Sequence, residues 1–498
     1  MDRIDETALS SAERPRHGPA SDPLTADAAG PRRVLGLREA IAIIVGVVIG
    51  AGIFKTPAMV AQFSGSPGWM FAAWLLGGLA SLVGALCYAE LTTSHPHPGG
   101  DYHFLQRAFG RRVSLLFAWA RLSVITTGSI ALLGFVFGDY LTAVAPLPGL
   151  GAAGSAAAYA AIAIVVLTAL NLRGVAAGTG TQVLLTAVEV GGLLLVVAAA
   201  MAVAPATGAA AAAPATAASG APTLGAFGLA MVFVLLTYGG WNEAAYISAE
   251  LREPRRNMVR ALVLSIGLIT ALYVLVTWAY WRGLGMQGMA QSQALAADLL
   301  LKAFGPAGQT VISLMVAIAA LTSINATMIV GARTSYALGR DWRPLRALGR
   351  WDVARGTPPV ALHVQCIAAL VLVAVGTAAG SGFVSMVEFT APVFWLFFLL
   401  TGVSLFVLRR REPELPRPFR VPLYPLLPLL FCAMCAYMLW SSLSYVSSQQ
   451  LGGFNAAWIS VAVLALGFVP LWLMRSERSA PAAGERLAGV VRAPNSPD

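Results

Sequence analysis

Apolar runs of about 20 residues recur along this chain, each long enough to cross the hydrocarbon of a bilayer as one helix. They fall near 37–62, 70–92, 112–142, 155–172, 180–203 and 225–249, then near 258–283, 306–333, 358–379, 383–407, 424–446 and 454–474. Because 57% of the residues are hydrophobic and only 11% are charged, an ordinary soluble protein is excluded. The fold class this predicts is an all-α polytopic membrane protein with twelve transmembrane helices.

Two of the runs are interrupted where they cross the middle of the membrane. Ile44-Val45-Gly46-Val47-Val48-Ile49-Gly50-Ala51-Gly52-Ile53-Phe54 runs into Thr56-Pro57, and Leu236-Thr237-Tyr238-Gly239-Gly240-Trp241-Asn242 repeats the pattern in the second half. In hydrocarbon every backbone N–H and C=O needs a partner, so unwinding is tolerated only beside protein or a watery cavity. Paired breaks in corresponding halves point to the binding site of a secondary transporter. Helix packing through small residues is the simpler alternative for Gly50-Ala51-Gly52 alone. Helices 1–5 and 6–10 pair as two units, and an odd number per unit makes the second enter from the opposite side. The expected architecture is a 5+5 inverted repeat with broken helices 1 and 6, plus two extra helices.

The net charge of +10 is topological rather than a nucleic-acid footprint. With the N-terminus inside, 29 of the 33 Lys and Arg fall on the cytoplasmic side, while Lys55, Arg282 and Lys302 fall opposite and Arg121 lies within a span. This positive-inside asymmetry predicts that both termini are cytoplasmic. Residues 1–36 lack an apolar h-region and read as a disordered cytoplasmic N-terminus, 37–475 as the twelve-helix transporter domain, and 476–498 as a disordered cytoplasmic tail. Residues 204–222, uncharged and rich in Ala, Thr, Pro and Gly, read as a flexible external loop. The Ala, Gly and Arg bias and the lack of a signal peptide fit a bacterial inner membrane. Cys87, Cys366, Cys432 and Cys435 all lie in apolar runs, which predicts packed, reduced thiols, no metal site and no cofactor.

The Gly50-Ala51-Gly52-Ile53-Phe54 break, Tyr88-Ala89-Glu90-Leu91 followed by Pro98-Gly99-Gly100-Asp101-Tyr102, and Tyr238-Gly239-Gly240-Trp241-Asn242 resemble the amino acid–polyamine–organocation (APC) superfamily. Glu250-Leu251-Arg252-Glu253-Pro254-Arg255-Arg256-Asn257, Arg333 with Arg340-Asp341, and Arg417-Pro418-Phe419-Arg420-Val421-Pro422 extend the match over residues 35–475. The Gly-Gly-Trp-Asn form is most similar to the L-type amino-acid transporter branch. The resemblance implies a permease that moves amino acids by alternating access. Eukaryotic members of that branch are disulfide-linked to a heavy chain through a cysteine between helices 3 and 4. Residues 143–154 contain none, so no disulfide-linked heavy chain is expected.

An unwound segment exposes N–H groups at the start of its outer half-helix, where the helix dipole adds positive charge. The substrate α-carboxylate is therefore assigned to the backbone of Gly50, Ala51, Gly52 and Ile53. By resemblance, carbonyls of Val48, Leu236, Thr237 and Gly239 take the α-ammonium group. Asn242 is expected to buttress the second break through a hydrogen bond to backbone. The family often has an aromatic lid where this chain has Leu236, which leaves a wider pocket or one gated by Tyr238, Trp241 or Trp395. Trp395 matches a tryptophan of the L-type branch near the side-chain pocket, with a packed or lipid-facing aromatic as the alternative. No acidic residue lies in either break, which tilts the substrate toward neutral amino acids over arginine or polyamines.

Glu189 falls where several relatives carry a lysine whose ammonium is thought to replace a sodium ion, so the sign is reversed here. An intramembrane carboxylate faces a cavity or a partner, which makes Glu189 a candidate proton carrier. Arg121 is a candidate partner, because helices 3 and 5 both start at the cytoplasmic face and each residue lies nine positions in, roughly 13.5 Å along its helix. Glu90, Glu250, Glu253 and Asp341 are expected to pair with the arginines that close the inner gate, while His95 and His97 read as solvated loop. A membrane enzyme would need clustered catalytic groups, and the five histidines form no such motif. The remaining alternatives are a cationic amino-acid or polyamine antiporter and a transport-incompetent amino-acid sensor. Exchange and proton symport both stay open.

Overall fold

The computed structural model describes residues 36–95, 100–174, 179–206, 221–244, 254–342, 345–352, 354–380 and 382–448, with short pieces between 450 and 468. Both termini, His97, Glu250, Glu253, most of the 204–222 loop and most of the expected twelfth helix lie outside these residues. Each of the first eleven expected spans is helical. The first is α1 (Leu37–Val48), a 3-10 turn at Ala51–Phe54, and α2 (Thr56–Ser64). The second is α3 (Pro67–Ser94), started by Pro67 and by Ser66 accepting from the Trp69 N–H at 3.5 Å. A short amphipathic helix, α4 (Asp101–Phe109), precedes the third span, which is α5 (Arg111–Ala120), a π turn (Arg121–Ile125) and α6 (Thr126–Val144). Then come α7 (Ala152–Leu172), α8 (Thr179–Ala202), and the broken sixth span of α9 (Leu224–Thr237) and α10 (Trp241–Ala244). The second half continues with α11 (Pro254–Gln291), α12 (Leu295–Asp341), α13 (Pro359–Ala378), α14 (Gly382–Arg411) and α15 (Leu426–Ser448).

The halves interlock through corresponding members. α1 packs on α10 and α2 on α9, and likewise α3 on α11, α6 on α12 and α7 on α13. α15 lies outside these pairs, against α14, α9 and α3. Lipid is as apolar as leucine, so close backbone approach and van der Waals packing hold such helices together. Gly78 shows why: any side chain there would overlap Thr270 of α11.

The connection expected between residues 283 and 306 is itself helical. α11 continues past a turn at Gly285 (φ 73°), and α12 begins ahead of a kink at Gly305 (φ 68°) and Pro306. Leu295, Ala296, Leu299 and Leu300 are buried there while Leu301 and Phe304 are exposed, the pattern of an amphipathic segment too short to span a bilayer. Arg282 donates to the carbonyls of Ala200 and Val203, capping the C-terminus of α8, and Lys302 donates to Gly283 O at 2.8 Å. Arg282 and Lys302 on this face are thus absorbed by helix ends, whereas Arg107, Arg111, Arg112, Arg340, Arg346, Arg350 and Arg409–Arg411 mark the opposite, basic face.

Candidate functional site

α1 ends at Val48, Ile49 and Gly50 run extended, and the chain re-enters a tight turn at Ala51. Gly50 has φ −147°, which any residue adopts, and a Cβ added there would meet Ser323 Oγ at 3.6 Å, an ordinary contact. The N–H groups opening the Ala51–Phe54 turn have no acceptor within it. In the second break, Tyr238 N–H bonds Val234 O at 3.0 Å, Gly239 N–H bonds Leu236 O at 3.0 Å, and the chain reverses through Gly240 at φ 101°, a left-handed conformation that favours glycine. Tyr273 of α11 ties the breaks together. Its fully buried hydroxyl lies 3.1 Å from Val48 O and 3.2 Å from Thr237 O, with its one proton shared between them.

A cavity of about 300 Å³ opens between the breaks. Its wall contains Val48, Gly50, Ala51, Gly52, Leu236, Thr237, Gly239 and Asn242, together with Arg121. α6 contributes Ser129, Leu132 and Leu133, and α14 contributes Thr390, Phe394, Phe397, Phe398 and Thr401 at helical spacing. Three expected members are elsewhere. Ile53 is buried in the core behind the turn. Tyr238 points away, its hydroxyl donating to Trp74 O at 3.0 Å and its ring set against Trp74 and Tyr273. Trp395 is off the lining face of α14 and packs edge-on against Phe394 and Phe398. Asn242 forms no hydrogen bond among the described residues, so its expected buttress is not seen there.

Glu189 and Arg121 do not meet. Gly192 faces the Phe54 ring, which sets Glu189, one turn away, close to the break; it is buried and makes no hydrogen bond or ion pair among the described residues. Arg121 stands far along the cavity towards the basic face, with Asp101 and Phe117. Equal counts from the helix starts misled because helices 3 and 5 begin at different depths.

The side away from the basic face is closed by residues the sequence reading passed over. Lys55 Nζ, 2% exposed, lies 2.7 Å from Asp139 Oδ2, 2.5 Å from Gln293 O and 3.1 Å from Gln293 Oε1. Tyr140 Oη donates to Phe54 O at 2.6 Å and accepts from Ala296 N–H at 3.2 Å. These bonds clip the outer half of helix 1 to α6 and to the α11–α12 corner. Beneath Lys55 lies Phe383, stacked on Phe233 and forming part of the cavity wall.

Two ion clusters brace the basic face. Glu90 takes a fork of bonds from Arg409 (2.6 and 2.5 Å), a bond from the Val421 N–H at 2.6 Å, and Arg417 at 3.7 Å. Two motifs read separately in the sequence thus hold each other. Glu412 meets Arg107 at 2.7 Å and His95 at 2.9 Å, which makes His95 a buried partner rather than a solvated loop residue. Burial pushes the Glu412 carboxyl up, but the bonds and charges of Arg107 and His95 outweigh it and hold the group below its ordinary value.

The profile of the amino acid permease family matches residues 35–469. The chain belongs to that family, within the APC superfamily. It is 32% identical over 400 residues to the b(0,+)-type amino acid transporter 1 of Mus musculus, spanning 80% of this chain and 81% of the relative. Over 424 residues it is 30% identical to the large neutral amino acids transporter small subunit 2 of Homo sapiens, spanning 82% and 76%. The Asc-type amino acid transporter 1 of Mus musculus is 28% identical over 449 residues, spanning 89% and 81%. The broken first helix of this permease, its partner break and the Glu90–Arg417 brace all fall inside the matched region.

Proposed function

We propose that this permease is a secondary transporter of neutral amino acids working by alternating access, with its basic face in the cytoplasm. The observation that carries this reading is a cavity of about 300 Å³ whose wall holds Gly50, Ala51 and Gly52, with N–H groups that have no acceptor among the described residues, beside Val48 and Thr237 at the helix ends. An α-carboxylate fits the first and an α-ammonium the second. Around them lie Leu132, Leu133, Leu235, Phe394 and Phe398 with Ser129 and Thr390, a wall suited to a neutral side chain. Asp101 is the acidic residue in the wall, at its far end, accepting from Thr401 Oγ1 at 3.4 Å, which disfavours a cationic amino acid or polyamine. The Lys55–Asp139 closure and the reach of the cavity towards Asp101 support an inward-facing state. A bacterial inner membrane, both termini cytoplasmic, and no disulfide-linked partner complete the proposal, the last from the absence of cysteine in residues 143–154.

Thermal stability of the purified protein, screened against the twenty amino acids, putrescine and agmatine, tests the substrate class. Stabilisation by neutral L-amino acids supports it, and stabilisation by arginine or putrescine alone contradicts it. Glu189, buried one turn from the Gly192 contact with Phe54 of the first break, is the candidate proton carrier. In that role Glu189→Gln abolishes the pH dependence of uptake and keeps exchange. Unchanged pH dependence in a stable variant leaves an exchanger without proton coupling.

A further inference from the structure

We propose that Arg121 is a second, separate carboxylate-binding station in the cavity, between the paired breaks and the basic face. The inference rests on the cavity being the transport route. Arg121 and Asp101 are the charged residues of the wall, and Asp101 is engaged with Thr401. Arg121 forms no ion pair or hydrogen bond among the described residues, and its Nε is fully buried without a partner. Arg121 is half-buried on the cavity wall, so the rest of its guanidinium is open to the cavity, and its planar fork matches a carboxylate. The residue also opens the π turn Arg121–Ile125, a local widening that recurs at functional sites.

Depth separates this station from the first. Along α12, Ser323 stands level with Gly50 and Gly331 stands level with Thr126. Ser323 to Gly331 spans ~12 Å of helical rise, and Arg121 lies a further ~7 Å along its own helix from Thr126. No amino acid held by its α-carboxylate at Gly50–Gly52 bridges that distance to reach Arg121. The guanidinium therefore meets a different molecule, or the same molecule at a different moment. Its ligand is the α-carboxylate of an amino acid moving between the basic face and the breaks. Ile125, Ser129 and Leu132 line the same strip of helix above it and lead towards the primary site.

Radiolabelled L-leucine and L-alanine exchange, measured separately from each face of oriented proteoliposomes, tests the station. Arg121→Gln raises the half-saturation concentration at the basic face about tenfold and leaves the other face within about twofold, while Arg121→Lys keeps most of the wild-type value. A second arm needs no transport: calorimetry with propionate, which has a carboxylate and no ammonium group. Wild type and Arg121→Lys bind propionate at two sites, and Arg121→Gln loses one of them. Exchange failing in every variant while propionate binding still depends on Arg121 keeps the station and sinks the transporter reading instead. An equal shift at both faces, or unchanged propionate binding by folded Arg121→Gln, overturns the proposal.

Discussion

At Tyr273 one hydroxyl sits between the ends of two unwound helices, 3.1 Å from Val48 O and 3.2 Å from Thr237 O. Removing it leaves buried carbonyls without their donor, a loss of about 1–3 kcal/mol per unsatisfied group. Tyr273→Phe is expected to fold, to melt a few degrees lower, and to lose about tenfold in exchange rate. Wild-type exchange would remove the tyrosine from the site. Gly52 is a matter of room: an added Cβ meets Thr237 at 3.5–3.6 Å, an ordinary contact, whereas the two γ-carbons of valine extend into Thr237 or the cavity. Gly52→Ala should therefore bind amino acid within a fewfold of wild type and Gly52→Val should not bind, as read by ligand-induced thermal shift. Normal affinity in folded Gly52→Val would end the backbone assignment there. Sequence marks Gly52 because glycine pairs in hydrocarbon need a reason; Tyr273 carries no such mark, since a tyrosine in an apolar helix reads as packing until the fold brings Val48 beside it.

At the scale of elements, the broken helices were legible and their fastenings were not. Lys55 reads only as a misplaced cation, and its meaning depends on Asp139 from α6 and Gln293 from the α11–α12 corner. Breaking a buried pair leaves one charge stranded, which costs about 3–5 kcal/mol, while removing both charges is close to neutral. Lys55→Met and Asp139→Asn should each lower the melting temperature, and the double variant should recover most of it. Additive losses would mean the pair holds nothing. Helix faces were the other illegible feature: helices buried all round give no stripe to say that Phe394 and Phe398 face the cavity and Trp395 does not. On the basic face the sign of a pH effect follows from Glu412. Its folded carboxyl is held below the unfolded value, so its contribution is full above the unfolded value and is lost as pH falls through the folded one. Melting curves of wild type and Glu412→Gln should converge as pH drops through that range. A constant gap would contradict the assignment.

For the whole molecule, run length was enough to lay out the eleven described spans, because the hydrocarbon thickness sets the length of a spanning helix. Depth along the helices was not, since the count from a helix start ignores where that start lies. Arg121 and Glu189 were set level on that count and stand far apart in the structure. The pairing of α1 with α10, α2 with α9, α3 with α11, α6 with α12 and α7 with α13 packs the two halves together around the breaks, the arrangement on which the proposed alternating access rests. That arrangement is tested most directly by counterflow. Proteoliposomes preloaded with unlabelled L-leucine should accumulate external radiolabelled L-leucine transiently, and Gly52→Val protein reconstituted at the same density should not. Absence of counterflow for every neutral amino acid in well-folded wild-type protein, or equal counterflow by Gly52→Val, would contradict a neutral amino-acid carrier built on the broken first helix.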